Sequence, residues 1–266
     1  YENGFKKNFA YGQKFWADEY RLNEKISTYK KPFVAFMQGF TMGGGVGVSC
    51  HGSHRIVGET SKIAMPECSI GLVPDVGGSF LLAKLPGNIG TFLGVTGKRM
   101  KASDAIYCGF ADYFVPEKKW KDLKKKLVDT GNIDWIEKFY ERAEPSEIEN
   151  SFSQISEAMV DISSKNIESR LKHPFFEKDL SALRFNSPIS VVYTIMMLKM
   201  KKVQNNISDA LDAEYSFTAR SQEFGDFQEG IRAAVIDKDR NPLWKHKSLA
   251  EVSEDDLQPF LQTIHR

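Results

Sequence analysis

The stretch "KPFVAFMQGFTMGGGVGVSCHG", residues 31 to 52, places three consecutive glycines, Gly43, Gly44 and Gly45, and a fourth, Gly47, directly after an apolar run. Phe33 to Met37 reads as a buried strand, and the small residues after the glycines read as the opening of a helix. A strand, a glycine turn and a helix N-terminus follow one another within about fifteen residues. Few chemistries need that arrangement. A phosphate loop requires GxxxxGK[ST], and no Lys-Ser or Lys-Thr follows. A dinucleotide fingerprint requires GxGxxG; Gly45 and Gly47 have the first spacing, but residue 50 is a cysteine. Two explanations remain: tight helix–strand packing, or a backbone N–H that must approach a substrate atom unobstructed by a side chain. At a helix start such an N–H points outward, with the helix dipole behind it, and suits a developing negative oxygen.

A second stretch raises a different question. "IAMPECSIGLVPDVGGSF", residues 63 to 80, is apolar or small except for Glu67 and Asp75, each directly after a proline. Either both acids sit on exposed turns, or two carboxyls have been placed in a segment suited to burial, where acids are retained for acid–base work.

The rest of the chain limits the possibilities. Its 36 Lys and Arg nearly cancel its 35 Asp and Glu, so no strong overall field draws it to nucleic acid or membrane. Three scattered cysteines, Cys50, Cys68 and Cys108, form no CxxC pair and suggest neither a zinc site nor a disulfide framework. A reducing compartment follows. Apolar runs stop short of the roughly 18–20 residues of a membrane span. The opening "YENGFKKNFA" has no initiator methionine and no hydrophobic signal core, and the expectation is that the sequence begins partway into a fold.

Secondary-structure signals divide the chain in two. Residues 12 to 30 read as a helix with Phe15, Glu19, Leu22, Ile26 and Tyr29 on one face, which puts Glu19 on the apolar stripe. "HRIVGET" and "KIAMPE" read as short strands, "GGSFLLAKL" as a helix, and residues 96 to 116 as a turn, a helix capped by Ser103 and a strand. Strands and helices therefore alternate through residues 1–116, an α/β pattern. Residues 117–266 are mostly helical in pattern, with "GIRAAVID" the one late segment that reads as strand or helix. The lysine-rich segment 118–126 reads as a solvated helix face.

The motifs together are more specific than any one alone. "DEYRLN", "KPFVAFMQGFTMGGGVGVS", "AMPECSIGLVPDVGGSF", "TGKRMKASDAIYCGFADYFVP" and "DFQEGIRAAVIDKDRNPLWK" occur in an order that resembles the crotonase (enoyl-CoA hydratase/isomerase) superfamily. The nearer resemblance is to its branch of 3-hydroxyisobutyryl-CoA hydrolases. It implies a spiral of ββα turns over residues 1–116, lacking its N-terminal portion, with residues 117–266 as a helical region packed on that core. It also implies an acyl-CoA substrate, no metal, no cofactor beyond the CoA carried by the substrate, and a possible homo-oligomer. The compartment implied is cytoplasm in a bacterium or mitochondrial matrix in a eukaryote.

The resemblance assigns roles residue by residue. Hydratases of this superfamily use two glutamates; one position matches Glu67, but the other falls on Gly47. Asp75 stands where hydratases usually have glycine. One carboxylate is lost and another gained, the pattern of the hydrolase branch. Glu67 is then the attacking or water-activating carboxylate, Asp75 its acid–base companion, and Gly44 the oxyanion donor through its N–H. Gly43 and Gly44 line the acyl site, and Glu19 would hydrogen-bond a hydroxyl on the acyl group. Lys238 is a candidate for a CoA phosphate, with a plain surface lysine as the alternative. The family also carries an "FCAGGD"-like segment that supplies a second oxyanion N–H, and no such segment occurs in these 266 residues. Hydration or isomerisation of an acyl-CoA, and a non-catalytic subunit of this fold, stay open as alternatives.

Overall fold

The structure, a computed structural model, describes residues 1–264 and 266. Strand β1 (Val34–Met37) leads through a short turn into β2 (Phe40–Met42) and then into the helix Gly44–Ser49. The next turn repeats the step: β3 (His54–Val57), β4 (Lys62–Ala64), the 3-10 turn Glu67–Ile70 and the helix Gly78–Ala83. β5 (Tyr113–Phe114) opens a third turn. Equivalent strands stack in parallel, β1-β3-β5 in one sheet and β2-β4 in another. Val34 lies opposite His54, Ile56 opposite Tyr113, and Thr41 opposite Ile63. Successive ββα units climbing in this way make the expected spiral.

The strands are short because only part of each is wanted inside. In β1 only Met37 is fully buried. The outer side of the three-stranded sheet is covered by the helix Trp120–Thr130. There Ile56, Val115, Trp120, Leu123 and Ile136 form a small cluster of their own. Trp120 stacks edge-on against Phe36 and donates its indole N–H to Val115 O at 2.8 Å. The lysines of this helix point to solvent, and Lys124 lies over the Phe36 ring. The larger cluster runs from Trp16 to Phe260 and crosses residue 116 without a break. The helices Pro188–Met197 and Ile207–Thr218 contribute to it together with the spiral turns.

Two local expectations are corrected and one left open is decided. The first long helix, Ala10–Ser27, buries Trp16, Ala17, Tyr20, Asn23 and Ile26, while Phe15, Leu22 and Tyr29 are exposed. Residues 16, 20 and 23 have the same 4-3 spacing as 15, 19 and 22, and the neighbours decide between two adjacent stripes. Trp16 meets Phe227 edge-on at 5.5 Å and Tyr20 meets Tyr215 at 6.3 Å. Glu19 therefore borders the buried face and is half-buried. The N-cap position of the helix Ala102–Tyr107 is Lys101, not Ser103, and its backbone N–H donates to Asp104 Oδ2 at 3.4 Å. "GIRAAVID" is helical, an α-turn Phe227–Ile231 continuing into the π-turn Arg232–Ile236.

All three cysteines are free and buried, and burial pushes each thiol up to about 12, which leaves no reactive thiolate. Among the described residues, no helix is long and apolar enough to cross a membrane, and no group of three or more His, Cys, Asp or Glu could hold a metal ion.

Candidate active site

The two proline-preceded acids are not on exposed turns. Glu67 opens the 3-10 turn after β4 and Asp75 stands just before the helix Gly78–Ala83, and each is only 5% exposed. The backs of both segments are closed by later parts of the chain. Ser187 donates its N–H to Cys68 O at 3.0 Å. Gly230 packs so closely on Ile70 that a Cβ there would fall 2.1 Å from its carbonyl oxygen. The turn carrying Glu67 is thus held from behind and its side chain directed inward.

Burial raises the pKa of Glu67 well above the carboxylic range, and the charge of Asp75 adds to the rise; backbone N–H groups of Glu67 itself and Gly43 oppose it. Asp75 is also raised, first by burial, against the Tyr20 hydroxyl that supports its charged form, and further by Glu19. Burial and neighbouring negative charge therefore favour the protonated form of both acids. Their oxygens differ. The Tyr20 hydroxyl donates to Asp75 Oδ2 at 2.7 Å. Glu67 Oε2 is sealed from solvent and has no hydrogen-bond partner among the described residues.

The glycine turn lies against these acids. Gly43 adopts φ 53° and ψ −126°, which side chains rarely tolerate, and its α-carbon faces Glu67 Oε1. Gly44 is exposed at the first position of the helix Gly44–Ser49, where the N–H has no intrahelical acceptor. A Cβ on Gly44 would fall 2.8 Å from Glu19 Oε1. Glu19, Gly43, Gly44, Glu67 and Asp75 are therefore brought together from four separate segments. Burial raises the pKa of Glu19 as well. Lys238 is not part of this group. It sits on the exposed turn after the π-turn, with φ 58°.

Gly47 has a reason of its own. A Cβ there would lie 2.6 Å from Asn23 Nδ2 and 2.8 Å from Val76 Cβ. Asn23 is fully buried, and neither of its amide atoms has a hydrogen-bond partner among the described residues. The space a side chain at residue 47 would need is filled by the residue following Asp75 and by the first helix.

Sequence reasoning missed four side chains around Asp75: Tyr20, Asn23, His51 and Glu214. Glu214 is fully buried on the helix Ile207–Thr218. It accepts the Gly77 N–H at 2.8 Å, the Ser79 N–H at 3.1 Å and the Ser79 hydroxyl at 2.5 Å. These donors favour its charged form, but complete burial outweighs them, and with the charge of Asp75 its pKa reaches about 8. An acid at residue 214 within an otherwise apolar helix face was the available signal.

Raised carboxyl groups couple stability to pH in one direction. Glu67, Asp75 and Glu214 all bind a proton more tightly folded than unfolded, so their contribution is complete below the unfolded carboxyl range. It is lost as pH rises through the folded values, about 8 for Glu214. We expect the Tm to fall as pH is raised from about 5 to about 9. Glu214→Gln, with no group to ionise, should flatten the upper part of that decline. Thermal unfolding followed by circular dichroism across the range checks it. A Tm that rises with pH would contradict the assignment.

Comparison with known proteins places the fold in a family. The family model described as Enoyl-CoA hydratase/isomerase matches residues 1–261. The mitochondrial 3-hydroxyisobutyryl-CoA hydrolase of Gallus gallus is 36% identical over 255 residues, covering 91% of this chain and 66% of the relative. Its Homo sapiens counterpart is 35% identical over 266 residues, covering 94% and 68%. The chain spans about two thirds of the length of these relatives. A solved structure described as an enoyl-CoA hydratase from Rhodobacter sphaeroides superposes with a TM-score of 0.92 at 45% identity, covering 99% of this chain and 77% of the other. One described as a carnitinyl-CoA dehydratase from Mycobacterium thermoresistibile gives 0.91 at 34%, covering 98% and 77%. With the spiral, the glycine turn and the buried carboxyl pair in place, the chain belongs to the enoyl-CoA hydratase/isomerase (crotonase) family.

Proposed function

We propose that this chain carries the catalytic centre of a CoA-thioester hydrolase acting on 3-hydroxyisobutyryl-CoA or a similarly short hydroxyacyl-CoA. The observation that carries the reading is the exchange of carboxylates. Residue 47 has no acid and no room for one, whereas Asp75 adds a buried acid whose charge acts on Glu67. The competing reading, hydration, draws on the description of the 45% identical solved structure. It needs a second carboxylate where Gly47 stands.

In the proposed reaction the free oxygen of Glu67 makes it the group that attacks the acyl carbonyl or takes a proton from the attacking water, once its own proton has passed to Asp75. The C=O π pair moves onto oxygen, where the Gly44 N–H receives it. A single donor of this kind is worth about 2.7–4 kcal/mol in other enzymes. Collapse restores the carbonyl and breaks the C–S bond, and the proton held by Asp75 goes to the departing sulfur. If Glu67 attacked directly, water then cleaves the resulting anhydride. Glu19, half-buried beside Gly44, is placed to accept a hydrogen bond from a hydroxyl on the acyl chain.

The test is release of free thiol from 3-hydroxyisobutyryl-CoA, isobutyryl-CoA and crotonyl-CoA, with hydration of crotonyl-CoA followed in parallel. We expect thiol release from the hydroxylated substrate first, and Glu19→Ala to reduce its advantage over isobutyryl-CoA by at least about tenfold. Hydration of crotonyl-CoA without thiol release would replace this reading with the hydratase one.

A further inference from the structure

The backbone around Asp75 is held in a conformation that its own residues do not favour. Val76, a β-branched residue, has φ 54°, and Gly77 follows with φ 79°. Two consecutive left-handed residues, the first of them valine, persist only where the surroundings over-determine them. Three side chains from outside the segment do so. His51 Nε2 lies 2.7 Å from Val76 O, which as a carbonyl can only accept, so the ring carries its proton on Nε2. Glu214 takes the N–H groups of Gly77 and Ser79. The Tyr20 hydroxyl donates to Asp75 Oδ2 and stands 3.1 Å from Thr218 Oγ1. Glu214 and Thr218 are one turn apart on the same helix, so one element from the C-terminal half braces both ends of the Asp75–Ser79 segment.

We infer that Tyr20, His51 and Glu214 are positioning residues that clamp the Asp75 turn, fixing the carboxyl at the distance and protonation that Glu67 requires. The inference rests on the proposed role of Asp75 in thioester hydrolysis. The left-handed Val76 belongs to the same arrangement: its side chain fills the space beside Gly47 while the adjacent Asp75 carboxyl accepts from Tyr20.

The clamp is tested by variants that keep volume and remove one donor. His51→Phe retains a ring but cannot donate to Val76 O, and we expect kcat for thiol release to fall about tenfold, with KM changed far less. His51→Gln, whose amide nitrogen reaches the same place, should restore most of it. Tyr20→Phe removes the hydroxyl that supports the charged form of Asp75, so the limb of the pH–rate profile belonging to Asp75 moves to higher pH. The titratable groups facing Asp75 are Glu19 and Tyr20 from the first helix, Glu67 from its turn and Glu214 from the helix opposite, with His51 one peptide away. The profile is therefore compared with that of Glu214→Gln, which removes a neighbouring charge and moves the same limb down.

Wild-type kcat and pH profile in both His51→Phe and Tyr20→Phe would overturn the clamp. So would a folded His51→Gln as slow as His51→Phe, because the effect would then be packing. Asp75→Asn separates the two claims. If it is inactive while the clamp variants are unaffected, the clamp alone fails; if it hydrolyses at the wild-type rate, the proposed role of Asp75 fails and takes the clamp with it.

Discussion

Glu67→Gln should abolish thiol release while leaving the fold intact. The substitution keeps size and shape in a site that is 5% exposed, so packing is preserved, but an amide can neither attack a carbonyl nor take a proton from water. A positioned carboxylate of this kind contributes about 10²–10⁴ in rate, and a loss in that range is expected in kcat with KM little changed. The variant should also be more stable at alkaline pH, because Glu67 is raised by burial and by Asp75 and its ionisation costs stability as pH rises. Single-turnover thiol release and thermal unfolding, measured on the same preparation, read both effects. A variant within about threefold of wild type would mean that Glu67 is structural, since positioned general bases contribute far more than that, and the proposed chemistry would have to be carried elsewhere.

Gly47→Glu, the substitution that a motif comparison would suggest to convert the chain into a hydratase, is expected to fail. The new Cβ would fall 2.8 Å from Val76 Cβ, an atom fixed to a backbone already clamped in the left-handed region, and 2.6 Å from Asn23 Nδ2. Overpacking a filled interior costs about 1–3 kcal/mol. A further acid beside Glu67 and Asp75 adds the cost of burying like charge. We expect a Tm lower by about 5 °C or more, loss of thiol release and no hydration of crotonyl-CoA. A stable Gly47→Glu protein that hydrates crotonyl-CoA would show that one missing side chain was all that separated the two activities, and would remove the main support for the hydrolase reading.

The two predictions have a common origin. Asp75 and the bare backbone at residue 47 belong to one packing arrangement: with Asp75 bonded to Tyr20, Val76 fills the volume that a side chain at residue 47 would occupy. Changing one position leaves the other in the way. The clamp residues extend that arrangement to the helix Ile207–Thr218, in the C-terminal half of the chain.

Several features were legible in the sequence. The strand–glycine–helix step at residues 33 to 49, the short strands at 54–57 and 62–64, and the helical character of the second half are local patterns, set by side-chain periodicity and by glycine. The segment holding Glu67 and Asp75 stood out as well, but its residues alone left exposed turns open, and the resemblance to the hydrolase branch supplied the pairing. The face of the first helix was not legible. Two adjacent stripes with the same spacing were available, and the contacts of Trp16 with Phe227 and Tyr20 with Tyr215 chose between them across some two hundred residues of chain. Glu214 could be noticed as an acid on an apolar helix face, but its role was not readable, because a distant turn brings the backbone N–H groups to it. By itself the sequence determined where the strand–glycine–helix step and the two proline-preceded acids fall, since both follow from local residue type. Only the tertiary structure decided which oxygen of the pair is free, because that depends on a hydroxyl from one helix and the brace of another, and hydrogen bonds between segments far apart in the chain leave no local pattern to read.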